Sequence, residues 1–297
     1  MFAKHLSIEK FSATDGTLHY GLLALPEHGR PKSALVHVHG FQGSFYGSSS
    51  VEELSVAVTK AGMAFFSIEH RGSYVMEEFT KKKGTKETDF IAGSALEKFE
   101  DCVYDIDGAV EFMKGLGVRR VVLSGHSSGC QKIVYYAATK MSRLVKAMVL
   151  LSPVDDLNFD VAHFGGRYST ILKSARTVAR KGRYALMPMG KDPYTVIGAR
   201  RLLSTCDPRN SEARTLNYLK SRMEYVARIR VPMLVMFGTD DHYLEVAKIK
   251  QEHAISRLRE NSGGRVDSLI MKGTDHVFHG KRRLLARKVA DWMLKNA

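Results

Sequence analysis

The segment Gly125-His126-Ser127-Ser128-Gly129 carries the residue types of a nucleophilic catalytic site. It follows an apolar run at residues 121–123 and precedes a stretch with helical character. A serine at such a strand-to-helix turn is forced into a tight bend, and its hydroxyl then projects above the edge of the sheet. Side chains in place of Gly125 and Gly129 would crowd the crossing of strand and helix. We therefore predict that Ser127 is a nucleophile.

A serine hydroxyl is a weak nucleophile at neutral pH, so it needs a general base, and the base needs an orienting carboxylate. In a parallel sheet, such groups gather on the loops that leave the carboxyl ends of later strands. Two loops qualify. Residues 238–241 follow an apolar run and contain Asp240 and Asp241, and residues 272–276 follow another and end in His276.

Strand-like and helix-like segments alternate along most of the chain, which predicts a mostly parallel sheet covered by helices on both faces. The predicted strands span residues 6–13, 17–25, 34–38, 63–68, 121–123, 145–151, 233–237 and 266–271. The predicted helices span residues 50–61, 96–113, 128–139, 244–258 and 281–295. The first two strands form a hairpin around Asp15-Gly16, and residues 69–93 are expected to be a polar loop.

Residues 155–230 interrupt this alternation with helix-like pieces and no clear strand. We interpret them as an insertion between the sixth and seventh strands of the sheet. The predicted organisation is a core domain formed by residues 1–153 and 231–297 and a helical lid formed by residues 154–230.

With its elements in this order, the chain resembles the α/β-hydrolase superfamily, and the resemblance covers nearly its whole length. In that superfamily the nucleophile follows the fifth strand of the sheet, the acid follows the seventh and the base follows the eighth. The resemblance thus implies Ser127, Asp241 and His276 in these roles. It places the acid three residues after the glycine that closes strand seven, which favours Asp241 over Asp240. It places the base at the end of a Gly-x-x-His turn, which favours His276 over His279.

Acyl transfer also needs donors for the developing oxyanion. One is expected to be the backbone N–H of Ser128, because the N-terminus of a helix favours negative charge. The second is implied by the resemblance, since His39-Gly40-Phe41-Gln42-Gly43 is similar to the His-Gly-x-x-Gly segment of many superfamily members. The family pattern assigns the amide of Phe41, with Gln42 as the alternative.

Other polar residues near the predicted site have a structural interpretation beside the catalytic one. Asp155 and Asp156 follow strand six and are an alternative source of the acid; otherwise they cap the first helix of the lid. His126 is expected to pack at the turn, since neighbours on a strand point to opposite faces. His37 alternates within a strand and is expected in the core.

The segment 125–131, Gly-His-Ser-Ser-Gly-Cys-Gln, is also similar to a smaller hydrolase group that contains fungal siderophore esterases. An aspartate in place of Ser127 would indicate a haloalkane dehalogenase or an epoxide hydrolase, so the serine argues against both. The expected function is a serine hydrolase that cleaves a carboxylic ester through an acyl-enzyme, without a metal or organic cofactor. Two alternatives stay open: another reaction on the same triad (C–C, lactone or peptide hydrolysis), or a ligand-binding protein that retains the triad.

The chain has a formal net charge of +14, and most of it is regional. Residues 165–230 contain 15 Lys and Arg against 4 Asp and Glu, which gives +11 of that total. Such a field attracts anions. It favours an anionic ester as substrate over contact with an anionic membrane surface, although an ordinary solvated surface explains it equally well. Nucleic-acid binding is not expected, because no recognised motif accompanies the charge.

The remaining composition is that of an ordinary globular protein. No apolar stretch approaches the roughly 18–20 residues that span a bilayer, and the N-terminus turns polar too soon for a signal peptide. Cys102, Cys130 and Cys206 are odd in number and widely spaced, which favours a reducing compartment. We expect a cytoplasmic protein that acts on a small molecule, and a homodimer is compatible with the sequence.

Overall fold

The computed structural model describes residues 3–47, 50–189 and 196–296. Its strands are β1 His5–Ser12, β2 Leu18–Leu25, β3 Ser33–Val38, β4 Ala64–Ile68, β5 Glu77–Lys83, β6 Lys86–Ala92, β7 Arg120–His126, β8 Val145–Leu151, β9 Met233–Asp240 and β10 Val266–Asp275. Its helices are α1 Val51–Lys60, α2 Cys102–Gly115, α3 Ser128–Thr139, α4 Asp156–Phe164, α5 Tyr168–Ala179, α6 Ala199–Cys206, α7 Ser211–Thr215, α8 His242–Val246, α9 Gln251–Asn261 and α10 Arg282–Asn296.

Eight strands form one sheet in the order β1-β2-β4-β3-β7-β8-β9-β10. Strand β2 is antiparallel to both of its neighbours, and the pairs from β4 to β10 are all parallel. The predicted mostly parallel sheet is therefore confirmed. Because the later strands are parallel, the loops that follow β3, β7, β9 and β10 open at the same edge of the sheet.

Helices cover both faces of this sheet. One face packs on α2, α3 and α9 around core residues such as Ile106 and Ile133, and the other packs on α1 and α10 around Leu54 and Val289. Successive residues of a strand serve opposite faces: in β7, Val121 belongs to the first core and Val122 to the second. Burial on both faces explains why the central strands read as continuous apolar runs rather than alternating ones.

The expected polar loop at residues 69–93 is wrong, because it contains the hairpin β5–β6. Only Phe79 of β5 is buried, so the hairpin lacks the alternation of apolar and polar residues that identifies a strand in sequence. The hairpin is held at the β1–β2 turn, where the N–H of Lys82 donates to the carbonyl of Gly16 at 2.9 Å.

Two predicted helices differ in extent from the observed ones. The single helix expected at residues 244–258 is divided into α8 and α9, and Lys248 between them has a φ of 56°, which no right-handed helix contains. The helix expected from residue 96 begins at Cys102, after a 3₁₀ turn at Phe99–Asp101. Neither break is accompanied by a proline or glycine, the residues that usually mark one.

Between β8 and β9 the described residues form α4 to α7 and no strand of the sheet. This region has a small apolar cluster of its own, formed by Phe164, Ala175, Met187, Ile197, Ala199, Leu202 and Cys206. Its last part is different, since Leu216, Tyr218 and Ile229 pack in the core on the α2–α3 side of the sheet. Residues 190–195 of the predicted lid lie outside the described residues. Among the described helices, none combines the length and apolar character needed to cross a bilayer.

Candidate active site

The turn between β7 and α3 has the geometry that places a serine side chain at the sheet edge. Ser127 adopts φ 55° and ψ −127°, a conformation that is costly for a residue with a Cβ and is found mainly at functional sites. A Cβ on Gly125 would lie 2.6 Å from the backbone N of Cys130, and one on Gly129 would lie 2.2 Å from the carbonyl O of Val38. Neither position has room for a side chain, because another part of the backbone passes close to each of the two glycines.

Strands β9 and β10 bring Asp241 and His276 together. The strands are parallel, and each residue is the first after its strand. Nδ1 of His276 lies 3.0 Å from both carboxylate oxygens of Asp241. Both side chains are buried. Asp241 also accepts the N–H of Tyr243 at 3.1 Å as the N-cap of α8, which fixes its carboxylate.

The alternative acid and base lie apart from this pair. Asp240 is exposed and accepts a hydrogen bond from the hydroxyl of Thr239 at 2.8 Å. The side chain of His279 is 69% exposed and pairs with Asp275 at 2.6 Å. Neither residue contacts Asp241 or His276 through its side chain within the described part of the chain.

The base candidate lies beside the serine turn, with one ring nitrogen uncommitted. Nε2 of His126, the residue before Ser127, lies 3.0 Å from the carbonyl O of His276. Nε2 of His276 is buried and has no hydrogen-bond partner among the described residues, the Ser127 hydroxyl included. Catalytic hydrogen bonds are often long in a free enzyme and tighten when substrate binds. The arrangement thus leaves this nitrogen available as a proton acceptor.

The loop after β3 reaches the same turn. A Cβ on Gly40 would lie 2.8 Å from Cβ of Ser127, so the loop backbone passes directly over the serine. Phe41 follows, while Gln42 is exposed with a φ of 57°. Ser128 is the first residue of α3, and its N–H therefore has no partner within the helix. Both predicted oxyanion segments lie next to Ser127.

Two buried histidines support this loop. Nδ1 of His39 lies 2.9 Å from the carbonyl O of Gly40, and Nε2 lies 2.8 Å from the hydroxyl of Ser73. The ring of His70 stacks on His39 at 4.1 Å. Burial lowers the pKa of His39 to about 3, so the ring is neutral at pH 7. Ser73 has no sequence signal of its own, because only the fold brings it beside His39.

The remaining predicted structural residues have partners of the expected kind. Asp155 accepts the N–H of Asn158 at 3.0 Å as the N-cap of α4, and Asp156 accepts the side-chain amide of Gln131 at 2.6 Å. His37 is fully buried with Nδ1 3.2 Å from the hydroxyl of Ser124. Of these candidate acids, Asp241 is the one that contacts His276 within the described part of the chain.

The burial of His37 leads to a prediction about pH. Burial lowers its pKa to about 3, whereas the unfolded residue titrates near 6.5. Below pH 6.5 the unfolded chain binds a proton that the folded one does not, so stability falls as the pH falls. From pH 7 to pH 5 this costs about 2 kcal/mol. The variant His37→Gln lacks this contribution. Between pH 7 and pH 5 its free energy of unfolding, measured by urea denaturation, should therefore fall by about 2 kcal/mol less than that of the unsubstituted protein.

The control for this measurement is His28→Gln, which replaces an exposed histidine. It should retain the pH dependence of the unsubstituted protein. If His37→Gln and the unsubstituted protein lose the same free energy of unfolding between pH 7 and pH 5, the assignment of His37 is wrong.

No pattern in the sequence indicates an aromatic contact on the imidazole of His276. The ring of Tyr243 lies 4.4 Å from the ring of His276, and Phe159 of α4 lies 5.0 Å from Tyr243. Tyr243 is two residues after Asp241, so the turn that supplies the acid also supplies this ring. Phe159 of the inserted helix α4 thus contacts Tyr243, and Tyr243 in turn contacts the imidazole of His276.

A buried ionic cluster joins the inserted region to α3. Lys132 of α3 pairs with Glu97 at 2.8 Å, and Arg201 of α6 lies 3.5 Å from the same carboxylate. Arg201 also donates to Glu212 at 2.8 Å. Its guanidinium lies 5.8 Å from the ring centroid of Phe41. The cluster therefore connects the insertion, helix α3 and the loop after β3 that contains Phe41.

Removal of Arg201 should strongly destabilise the protein. In Arg201→Met the carboxylate of Glu212 stays buried without its cation, while Glu97 keeps its pair with Lys132, and an unpaired buried charge costs about 3–5 kcal/mol. The measurement is the free energy of unfolding from urea denaturation. Arg209→Met is the matched control, since Arg209 also pairs with an acid but its side chain is 71% exposed. Equal effects of the two substitutions would contradict the prediction.

The order of strands and helices is that of the α/β-hydrolase fold. The chain belongs to the family described as protein of unknown function DUF1749, whose model matches residues 24–296. No curated protein matches the chain significantly in sequence.

Solved structures show the same fold at low sequence identity. Siderophore hydrolase EstB from Aspergillus fumigatus is 16% identical with a TM-score of 0.72, and the match covers 98% of each chain. Est1E from Butyrivibrio proteoclasticus with bound ferulic acid is 15% identical with a TM-score of 0.64, over 96% of this chain and 98% of that one. The Pyrococcus furiosus esterase Pf2001 is 13% identical with a TM-score of 0.60, over 98% of this chain and 91% of that one.

Proposed function

We propose that this chain is a serine hydrolase that cleaves a carboxylic ester through an acyl-enzyme. The observation that carries the proposal is the buried Asp241–His276 pair: Nε2 of His276 is free within the described part of the chain, and its backbone carbonyl lies 3.0 Å from Nε2 of His126, the residue before the strained Ser127. The structural neighbours include a siderophore hydrolase and several esterases, which supports the same reaction class.

In the proposed mechanism, Oγ of Ser127 attacks the ester carbonyl while Nε2 of His276 accepts its proton. Asp241 keeps Nδ1 of the ring protonated and stabilises the imidazolium that forms. The amides of Ser128 and Phe41 donate to the oxyanion. His276 then protonates the leaving alcohol, and the same imidazole activates the water that hydrolyses the acyl-enzyme.

The substrate is proposed to be a small carboxylic ester with a hydrophobic acyl or alkyl part. Residues 154–230 are proposed to act as a helical lid over it. The separate apolar cluster around Phe164 and Leu202 supports a distinct unit, and the contact from Phe159 through Tyr243 to His276 places its first helix next to the base. The three cysteines are free and buried thiols, which supports a reducing compartment such as the cytoplasm.

The proposal is tested by a panel of p-nitrophenyl esters, lactones and anilides together with labelling by a fluorophosphonate. We expect turnover of esters, and a single adduct that mass spectrometry locates on the peptide containing Ser127. Turnover confined to lactones or anilides would assign another reaction to the same residues. A folded protein that neither turns over a substrate nor reacts with the label would be a ligand-binding protein instead.

A further inference from the structure

A cavity of about 420 Å³ lies outside the candidate active site and is strongly basic. Its lining residues are Arg214, Lys220, Arg222, Glu224, Ala227 and Arg228. Four cationic side chains thus face one carboxylate, a formal balance of +3. The volume is at the low end of the range of about 300–1,000 Å³ for small-molecule sites.

The cavity is at the opposite edge of the sheet from Ser127. Arg228 lies just before the start of β9, whereas Asp241 follows the end of that strand. The carbonyl of Ile229, the next residue, accepts a hydrogen bond at 3.0 Å from the N–H of Gly263, which lies just before the start of β10. A strand of this length spans about 26 Å. A ligand in the cavity therefore does not occupy the catalytic centre.

The backbone that carries these cations is held in place. Asn261 at the end of α9 accepts the N–H of Met223 at 2.7 Å and donates to the carbonyl of Ser221 at 3.2 Å. The ring of Tyr225 lies 5.9 Å from the guanidinium of Arg214 and 5.7 Å from that of Arg228. The cations are thus positioned by the fold before any ligand arrives, which lowers the cost of binding.

The charges of the cavity are mostly uncompensated. Arg214 pairs with Glu224 at 3.2 Å, but its Nε is buried and has no hydrogen-bond partner in the described part of the chain. Among the described residues, the side chains of Lys220 and Arg222 make no ion pair. Four cations around one carboxylate repel one another, and a multivalent anion would relieve this repulsion.

We propose that this cavity binds a small phosphate-bearing anion. Guanidinium groups match phosphate oxygens with two parallel hydrogen bonds, and three of the four cations here are arginines. The proposed site is independent of the proposed hydrolysis, because it lies at the other edge of the sheet. The phosphate belongs either to a free metabolite or to a lipid headgroup, and the two sources are separated by the experiment.

Isothermal titration calorimetry with inorganic pyrophosphate tests the site on the full chain at low ionic strength. We expect one bound pyrophosphate per chain and an affinity that falls at least tenfold in the double variant Arg222→Gln with Arg228→Gln, both of which replace exposed side chains. Arg287→Gln, an exposed arginine on α10, is the matched control and should bind as before. Ser127→Ala should also bind as before, which separates this site from the proposed hydrolysis.

A second arm uses sedimentation with phosphatidylcholine vesicles that contain phosphatidic acid. Pelleting that is lost in the double variant assigns the phosphate to a lipid headgroup, and calorimetric binding without pelleting assigns it to a free anion. The proposal is overturned if pyrophosphate does not bind, or if the double variant and Arg287→Gln bind it equally. Thermal melting of each variant shows that the comparison is made between folded proteins.

Discussion

Ser127→Ala should lower kcat for ester hydrolysis by about 10⁴- to 10⁶-fold, which is the usual loss when the nucleophile of a catalytic triad is removed. The hydroxyl of Ser127 makes no hydrogen bond among the described residues, and alanine retains the Cβ that lies against Gly40. The melting temperature should therefore change little. The measurement is the turnover of the best p-nitrophenyl ester, with thermal unfolding of both proteins alongside.

The control for this substitution is Ser124→Ala, which removes a hydroxyl from the same strand at a site that faces His37. It should keep its turnover within a few-fold even where its stability falls. Turnover by Ser127→Ala at the level of the unsubstituted protein would show that the observed hydrolysis does not use the proposed nucleophile.

Asp241→Asn should lower kcat by about 10⁴-fold, because an amide neither holds Nδ1 of His276 protonated nor stabilises the imidazolium. The substitution separates catalysis from folding, since asparagine caps a helix as well as aspartate does. The N-terminus of α8 therefore keeps its cap, and stability should be nearly unchanged. The measurement is kcat for the same ester, with circular dichroism and thermal unfolding for the fold.

Asp240→Asn is the matched control for Asp241→Asn, because it makes the same chemical change one residue away on an exposed side chain. Its kcat should remain within a few-fold of that of the unsubstituted protein. Equal losses in the two variants, or a larger loss in Asp240→Asn, would assign the acid to the other aspartate.

Local patterns predicted the parts of the fold that depend on neighbouring residues. The apolar run before Gly125, the glycines around Ser127 and the helix that follows all lie within about 20 residues, and the structure has a strand, a tight turn and a helix there. The parallel order of the later strands then brought the loops with Asp241 and His276 to one edge. The choice of Asp241 over Asp240, and of His276 over His279, came from the resemblance to α/β-hydrolases.

Contacts between distant residues could not be predicted in this way. Glu97, Lys132 and Arg201 are widely separated in the chain, and each is a charged residue that a sequence reading places on the surface. The contact of Phe159 with Tyr243 depends on how an inserted helix returns to the sheet. The hairpin β5–β6 was missed because hydrophobic periodicity, the main signal for a strand, is almost absent where Phe79 and Ala92 alone are buried among its described residues.

The ionic cluster around Arg201 limits how the active site can open. Swinging the whole insertion outward would separate Arg201 from Glu97 and break a buried ionic network that also includes Lys132. An opening motion that preserves this contact would have to move the segments on either side of Arg201. Helix α4 is one such segment: its Phe159 contacts Tyr243, whose ring lies 4.4 Å from that of His276, so a tilt of α4 would be transmitted to the candidate base.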